Sequence, residues 1–225
     1  MLRTFIALAL GGLLLPLLAA PLHAGPILME VLYDGVGTDA DEAFTEIYGT
    51  AGLSLTGWSL KGINGADGTT YRTVSLTGMT IPTDGVLVLA TASATGSVLS
   101  ARDYTASVDW QNGPDSSQLL DASGSVVDAL EYGNAGIYGA GEGTHATDVQ
   151  AGWSLSRDLL GSDTGDNATD FSGFAAPTPG VGPSAPVPEP ASLALLAAGL
   201  VGLSASRRRR AWRERGRAQR PTRPS

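Results

Sequence analysis

Apolar and polar residues alternate along the chain between residues 25 and 176, in runs of four to eight that end at Gly, Asp, Asn or Pro. This period of two is typical of half-buried β-strands, whereas an amphipathic helix repeats about every 3.6 residues. We predict strands over 27–33, 44–48, 57–60, 71–76, 86–90, 118–120, 125–132 and 153–155. No run carries an apolar helical stripe of three turns, so the body is predicted to be all-β.

The spacing of strands and turns favours one antiparallel sandwich or barrel. In the first strand, the odd-numbered residues from Ile27 to Tyr33 are predicted to share one face. The clearest hairpin has Asp121 at the start of its turn, and Gly124 supplies the positive φ of a bulged loop. Turn residues recur about every 8–12 positions, as they do in β-sandwiches.

The first 24 residues have the order of a secretory signal peptide. One basic residue, Arg3, precedes an apolar run from Phe5 to Leu18, and the small residue Ala24 stands at the expected cleavage point. The alternative is a transmembrane anchor, but the run is shorter than the ~20 residues that a span needs and contains Pro16. We therefore expect signal peptidase to cleave after Ala24.

The C-terminus is a second targeting segment. Residues 177–188 contain five Pro and are predicted to be an extended linker. An apolar run over 191–205, predicted to be helical, precedes a block of arginines. The block consists of Arg207, Arg208, Arg209 and Arg210. By the positive-inside rule this block stays cytoplasmic, with the body on the other side of the membrane. The alternative, a nucleic-acid-binding arm, is disfavoured on an exported chain.

The sequence Pro188-Glu189-Pro190, followed by a short apolar run and an Arg block, resembles the PEP-CTERM sorting signal. We assign residues 189–225 to this sorting tail. The resemblance implies export from a Gram-negative bacterium, transient anchoring in the inner membrane, recognition of the tripeptide by an exosortase and removal of the hydrophobic tail. It also implies a role at the cell surface or in extracellular polysaccharide.

Composition excludes several kinds of chemistry. The chain has no Cys and two His, so disulfides, thiolate metal sites and cysteine nucleophiles are absent. The net charge of −8 averages unlike segments, because residues 25–185 have four basic and 20 acidic residues whereas 186–225 have nine Arg and two Glu. So acidic a body would repel a phosphate backbone, which argues against nucleic-acid binding.

Two acidic loops are the candidate calcium sites. Their carboxylates are Asp34, Asp39 and Asp41 in the first loop and Asp163, Asp166 and Asp170 in the second. Oxygen-rich loops suit Ca²⁺, but neither loop has the EF-hand spacing. The alternative is that these residues form turns and keep the surface soluble. We predict that the chain uses no cofactor, with calcium as the alternative.

Two further side chains are candidates for function. His145 lies in a glycine-rich loop and would serve a hydrolase if a nucleophile and an acid converged on it, although no Gly-x-Ser-x-Gly motif is present. Trp58 and Trp153 are predicted to fill the core, whereas Trp110 lies in a loop and is predicted to be exposed, where it can contact a sugar.

A second resemblance covers nearly the whole body, residues 25–176. The segments that carry it are 29–33, 44–48, 55–60, 81–89, 119–128, 154–157, 163–167, 170–171 and 177–180. Together and in this order they resemble a lamin-tail domain, which implies an immunoglobulin-like antiparallel β-sandwich. Two residues depart from the family pattern, each at a strand end. Gly49 stands where the family usually has Asn, and Ala43 stands where it often has Glu.

These patterns predict an exported, non-enzymatic surface or extracellular-matrix protein. Its sandwich would act as an interaction or structural module whose partners are exopolysaccharide or other surface proteins. A secreted hydrolase with a metal-dependent or His145-dependent site is one alternative. A polysaccharide-binding module is the other.

Overall fold

The computed structural model describes residues 25–183, which form ten strands and three short helices. The strands are β1 Ile27–Leu32, β2 Phe44–Tyr48, β3 Ser59–Asn64, β4 Thr70–Ser75, β5 Val86–Ala90, β6 Tyr104–Thr105, β7 Asp115–Leu120, β8 Val126–Tyr132, β9 Ser154–Ser156 and β10 Ser172–Phe174. The helices are α1 Asp39–Glu42, α2 Gly96–Ala101 and α3 Asn167–Asp170. The signal peptide, the sorting motif, the apolar run 191–205 and the Arg block lie outside the described residues.

The strands form two sheets packed face to face. The first has the order β10-β9-β1-β2-β5-β6 and the second the order β4-β3-β7-β8. All the pairings are antiparallel except that of β5 with β6. The prediction of an immunoglobulin-like antiparallel β-sandwich is confirmed, and each predicted strand coincides with an observed one to within a few residues.

The main core lies between the two sheets. Its largest side chains are Trp110, Tyr33, Tyr132 and Phe171. A second apolar cluster covers the opposite, outer face of the six-stranded sheet, where Leu32 and Phe44 pack with Val98 of α2. Because both faces of this sheet are covered, its strands β1 and β5 are buried along their whole length.

A register shift in β1 overturns the predicted assignment of its faces. The pairing with β2 is interrupted between Leu28 and Glu30, so Leu28 and Val31 both face the main core while Leu32 faces outward. The prediction that odd-numbered residues share one face is therefore wrong for the first half of this strand. Alternation of apolar and polar residues predicts which face of a strand is buried only where the other face meets solvent, and β1 is buried on both faces.

The hairpin of β7 and β8 follows the prediction. Asp121 Oδ1 accepts hydrogen bonds from the backbone N–H groups of Ser123 and Ser125, and Gly124 has a φ of 82°. Residues 177–183 belong to the same compact unit as the sandwich and pack on the outer face of the first sheet.

Candidate functional site

Arg157 is a buried charge that lies between the two sheets. It directly follows β9, and its side chain has no exposed surface. Its Nε donates to Leu28 O at 2.9 Å, its Nη1 to Ser162 O at 2.8 Å and its Nη2 to Asp128 Oδ1 at 2.8 Å. Since Leu28 belongs to β1 and Asp128 to β8, the guanidinium links one sheet to the other.

Further carboxylates surround the same guanidinium. Asp163 and Asp170 lie 3.5 and 3.3 Å from its Nη1. Oxygens of Asp128, Glu142 and Asp163 all lie within 4.8 Å of one another. One cation thus faces four carboxylates, and we call these five residues the arginine cluster. The ring of Phe171, centred 4.4 Å from the guanidinium carbon, adds a cation–π contact.

The carboxylates of the arginine cluster differ in acidity. Partial burial, with the charges of Asp128 and Asp163, raises the pKa of Glu142 to about 7. For Asp170, burial opposes ionisation, but hydrogen bonds from Thr164 and the nearby Arg157 charge outweigh it and hold its pKa below the ordinary value. Burial also raises the pKa of Asp128, against the opposing charge of Arg157. A pKa of about 7 means that the charge of Glu142 changes near neutral pH.

The contacts of the arginine cluster are those of a structural cross-link. Asp128 Oδ2 accepts the N–H of Leu28 at 2.5 Å, so both of its oxygens are used across the sheets. The three acidic oxygens have the chemistry that a calcium ion takes, but a guanidinium already supplies positive charge there. Within residues 25–183, the His145 ring makes no hydrogen bond or ion pair to any serine or carboxylate.

The predicted calcium ligands separate into groups. Asp163 and Asp170 join the arginine cluster, whereas Asp166 turns outward and accepts the N–H of Thr144 at 2.7 Å. In the other loop, Asp34 accepts from Asn112 Nδ2 at 3.1 Å. Asp39 accepts the N–H of Gly35 at 3.1 Å, and Asp41 lies in the same short helix α1. Calcium binding by either loop stays the untested alternative to a chain without a cofactor.

The prediction that Trp110 is exposed is wrong. Its side chain is 2% exposed and packs in the main core, and its Nε1 donates to Thr45 Oγ1 at 2.9 Å. The segment is a loop, as predicted, but its indole points into the main core. A ring in this position cannot stack on a sugar. Trp58 and Trp153, predicted to fill the core, are only partly buried.

Sequence reasoning missed three members of the arginine cluster, namely Asp128, Glu142 and Arg157. Two signals were available. Asp128 interrupts an otherwise apolar stretch of its strand, and Arg157 is one of only four basic residues between 25 and 185. A buried carboxylate in such a strand requires a partner, and few cations are available to provide it.

A second candidate site is a polar surface groove of about 430 Å³ beside β6. It is lined by Ala40, Arg72, Thr91, Ala92, Ser93, Thr105, Ala106, Ser107 and Asp109. Arg72 Nη1 is 2.8 Å from Asp109 Oδ1, which places a half-exposed ion pair among hydroxyl groups. Such a surface offers hydrogen-bond donors and acceptors to a hydroxylated ligand.

Comparison with known families assigns the class of the chain. The profile of the Lamin Tail Domain matches residues 23–134, which include β1 to β8. The PEP-CTERM protein-sorting motif matches residues 186–210. The chain is thus a lamin-tail-domain protein with a PEP-CTERM signal, and it is exported and sorted to the surface of a Gram-negative cell by an exosortase.

No curated protein and no solved structure is significantly similar to the chain. Within residues 25–183, none of the helices has the length and apolar character needed to cross a membrane. The arginine cluster extends beyond the matched lamin-tail region, because Glu142, Arg157, Asp163 and Asp170 follow residue 134.

Proposed function

We propose that the protein is a non-enzymatic interaction module displayed outside the cell and associated with exopolysaccharide. The observation that carries this proposal is the joining of a lamin-tail sandwich to a PEP-CTERM motif in one chain. Two features support a binding rather than a catalytic role. The buried charges cross-link the sheets, and the polar groove at Arg72 is open to solvent.

Export and processing are tested by mass spectrometry of the protein isolated from its own cells. We expect the mature chain to begin at Gly25 and to lack peptides beyond about Pro190. Replacing the central acid of the motif, Glu189→Ala, should leave the Arg-rich tail in place. Intact tails on the wild-type surface protein would overturn processing, and a retained N-terminal segment would overturn cleavage after Ala24.

The polysaccharide is expected to bind in the polar groove through hydrogen bonds to its hydroxyl groups. The test is co-sedimentation of the purified protein with exopolysaccharide from the same cells. Arg72→Ala removes the groove's cation and should weaken binding roughly tenfold. Lys61→Ala, which removes an equal charge outside the groove, is the matched control. Equal binding by both variants would exclude the groove.

A hydrolase that depends on a metal or on His145 is the alternative function, and the acidity of one carboxylate supports it. The pKa of Glu142, raised to about 7 by burial and neighbouring carboxylates, suits proton transfer at neutral pH. Incubating the protein with the same polysaccharide should release no reducing ends. Turnover that disappears in Glu142→Gln or His145→Ala would instead establish an enzyme.

A further inference from the structure

Residues 178–182, which we call the strap, lie on the outer face of the six-stranded sheet just before the sorting tail. The first anchor of the strap is Glu30 of β1, a residue that is 1% exposed. Thr178 donates its N–H to Glu30 Oε1 at 2.9 Å and its hydroxyl to Glu30 Oε2 at 2.8 Å. The hydroxyl of Ser154 also donates to Oε1, so three donors converge on one buried carboxylate.

The second anchor of the strap is Glu46 of β2, which pairs with Glu30 across the strands. Gly180 donates its N–H to Glu46 Oε2 at 2.8 Å, and Glu46 is completely buried. A turn closed by the N–H of Val181 and the carbonyl of Thr178 joins the two anchor points. The strap is thereby fixed by its backbone to two adjacent strands.

The far end of the strap approaches the sheet too closely for a side chain. A methyl group on Gly182 would overlap Val86 of β5, a β-branched residue that is itself buried. Beyond it, the ring of Pro183 lies against Gly161. The last described residues therefore leave the sandwich at one defined point.

We propose that the strap positions the sorting tail for processing, by fixing where the tail leaves the folded sandwich. This inference rests on the proposed exosortase processing. Only residues 184–187 separate Pro183 from the Pro188-Glu189-Pro190 motif, so at most about 18 Å of extended chain connects the strap to the motif. If the strap were released, residues 178–183 would add about 20 Å of reach.

Docking of the strap is tested by hydrogen exchange on the full chain, produced in cells that have no exosortase so that the sorting tail is retained. The amides of Thr178 and Gly180 are expected to exchange slowly. Gly182→Val should lift the strap and speed their exchange roughly 100-fold, while the amides of β2 stay protected. Gly37→Val is the matched control, because a methyl group there meets no atom within 4 Å. Thr178→Pro, which removes the first N–H, provides a second way to release the strap.

The positioning role is tested in cells by shortening the spacer. Deleting residues 184–186 should abolish removal of the tail, because only Val187 would then separate the anchored strap from the motif. Combining this deletion with Gly182→Val should restore removal, since the released strap supplies the missing length. Gly37→Val in the same background should not restore it.

The two experiments distinguish failure of strap docking from failure of exosortase processing. Slow exchange in the wild type with no tail removal at all would contradict exosortase processing but leave the strap intact. Rapid exchange at Thr178 and Gly180 in the wild type would overturn the strap itself. Normal processing of the shortened chain, or no rescue once Gly182→Val has freed the strap, would overturn its positioning role.

Discussion

At the scale of single residues, the charge of Arg157 has the largest expected effect on stability. Replacing it in Arg157→Met leaves Asp128 buried without a cation and should lower the free energy of unfolding by about 3–5 kcal/mol. Urea denaturation measures this loss. Arg72→Met, which breaks a half-exposed pair with Asp109, is the control and should cost less than about 1 kcal/mol. Similar losses in the two variants would contradict the cross-linking role of the arginine cluster.

Glu46 should make the stability of the sandwich depend on pH. Burial raises its pKa to about 8, opposed by the N–H of Gly180 and reinforced by Glu30, Asp84 and Asp103. The unfolded chain loses this proton near its ordinary pKa of 4.5, before the folded chain does. Its contribution is therefore complete below pH 4.5 and is lost as the pH rises to about 8.

Glu46→Gln tests this prediction, because the amide keeps an oxygen for the Gly180 N–H but cannot ionise. At pH 9 we expect the free energy of unfolding of this variant to be roughly 2–4 kcal/mol larger than that of the wild type. At pH 4 the two free energies should differ little. The control is Glu30→Gln, which turns an amide donor toward the donors of Thr178 or Ser154 and should destabilise at both pH values. A Glu46→Gln variant no more stable at pH 9 would show that Glu46 ionises normally.

At the scale of secondary structure, the sequence predicted strands well where alternation and turn residues agree. The β7–β8 hairpin is such a case, because local hydrogen bonds from Asp121 and the φ of Gly124 define it. The faces of β1 and the burial of Trp110 could not be predicted, since they depend on what covers the sheet. β6 and β10 are only two and three residues long and carry no periodic signal.

The candidate site was predictable only in part, for the same reason. Asp163 and Asp170 lie close in sequence and were identified together as one acidic loop. Their partners Asp128 and Arg157 are 29 residues apart and meet only because β8 and β9 lie in opposing sheets. The spacing of acidic residues along the sequence identified candidate metal ligands, but it carries no information that Arg157 lies among them in the fold.

The turn of the β7–β8 hairpin gives a prediction at this scale. Gly124 has a φ of 82° and no atom within 4 Å of an added methyl group, so Gly124→Ala changes only the backbone strain. We expect a loss of about 1 kcal/mol in the free energy of unfolding. Gly37→Ala, equally open but without a positive φ, should change little. A loss as large in Gly37→Ala would mean that exposed loop glycines, rather than positive φ, determine the effect.

For the whole molecule, the excess of acid over base in residues 25–185 sets the response to salt. Twenty acidic and four basic residues repel one another across a compact sandwich, and Arg157 and Arg72 are already paired. Raising NaCl from about 0.01 to 0.5 M shortens the Debye length from roughly 30 to a few Å and should raise the melting temperature. Thermal melts across this range measure the effect.

Calcium at matched ionic strength separates screening from binding. Because the guanidinium of Arg157 occupies the space between Asp128 and Asp163, we expect CaCl₂ to raise the melting temperature no more than NaCl does. An additional rise with calcium would contradict this and establish a bound ion. Asp163→Asn or Asp34→Asn, whichever removed that rise, would then assign the ion to the arginine cluster or to the loop before α1.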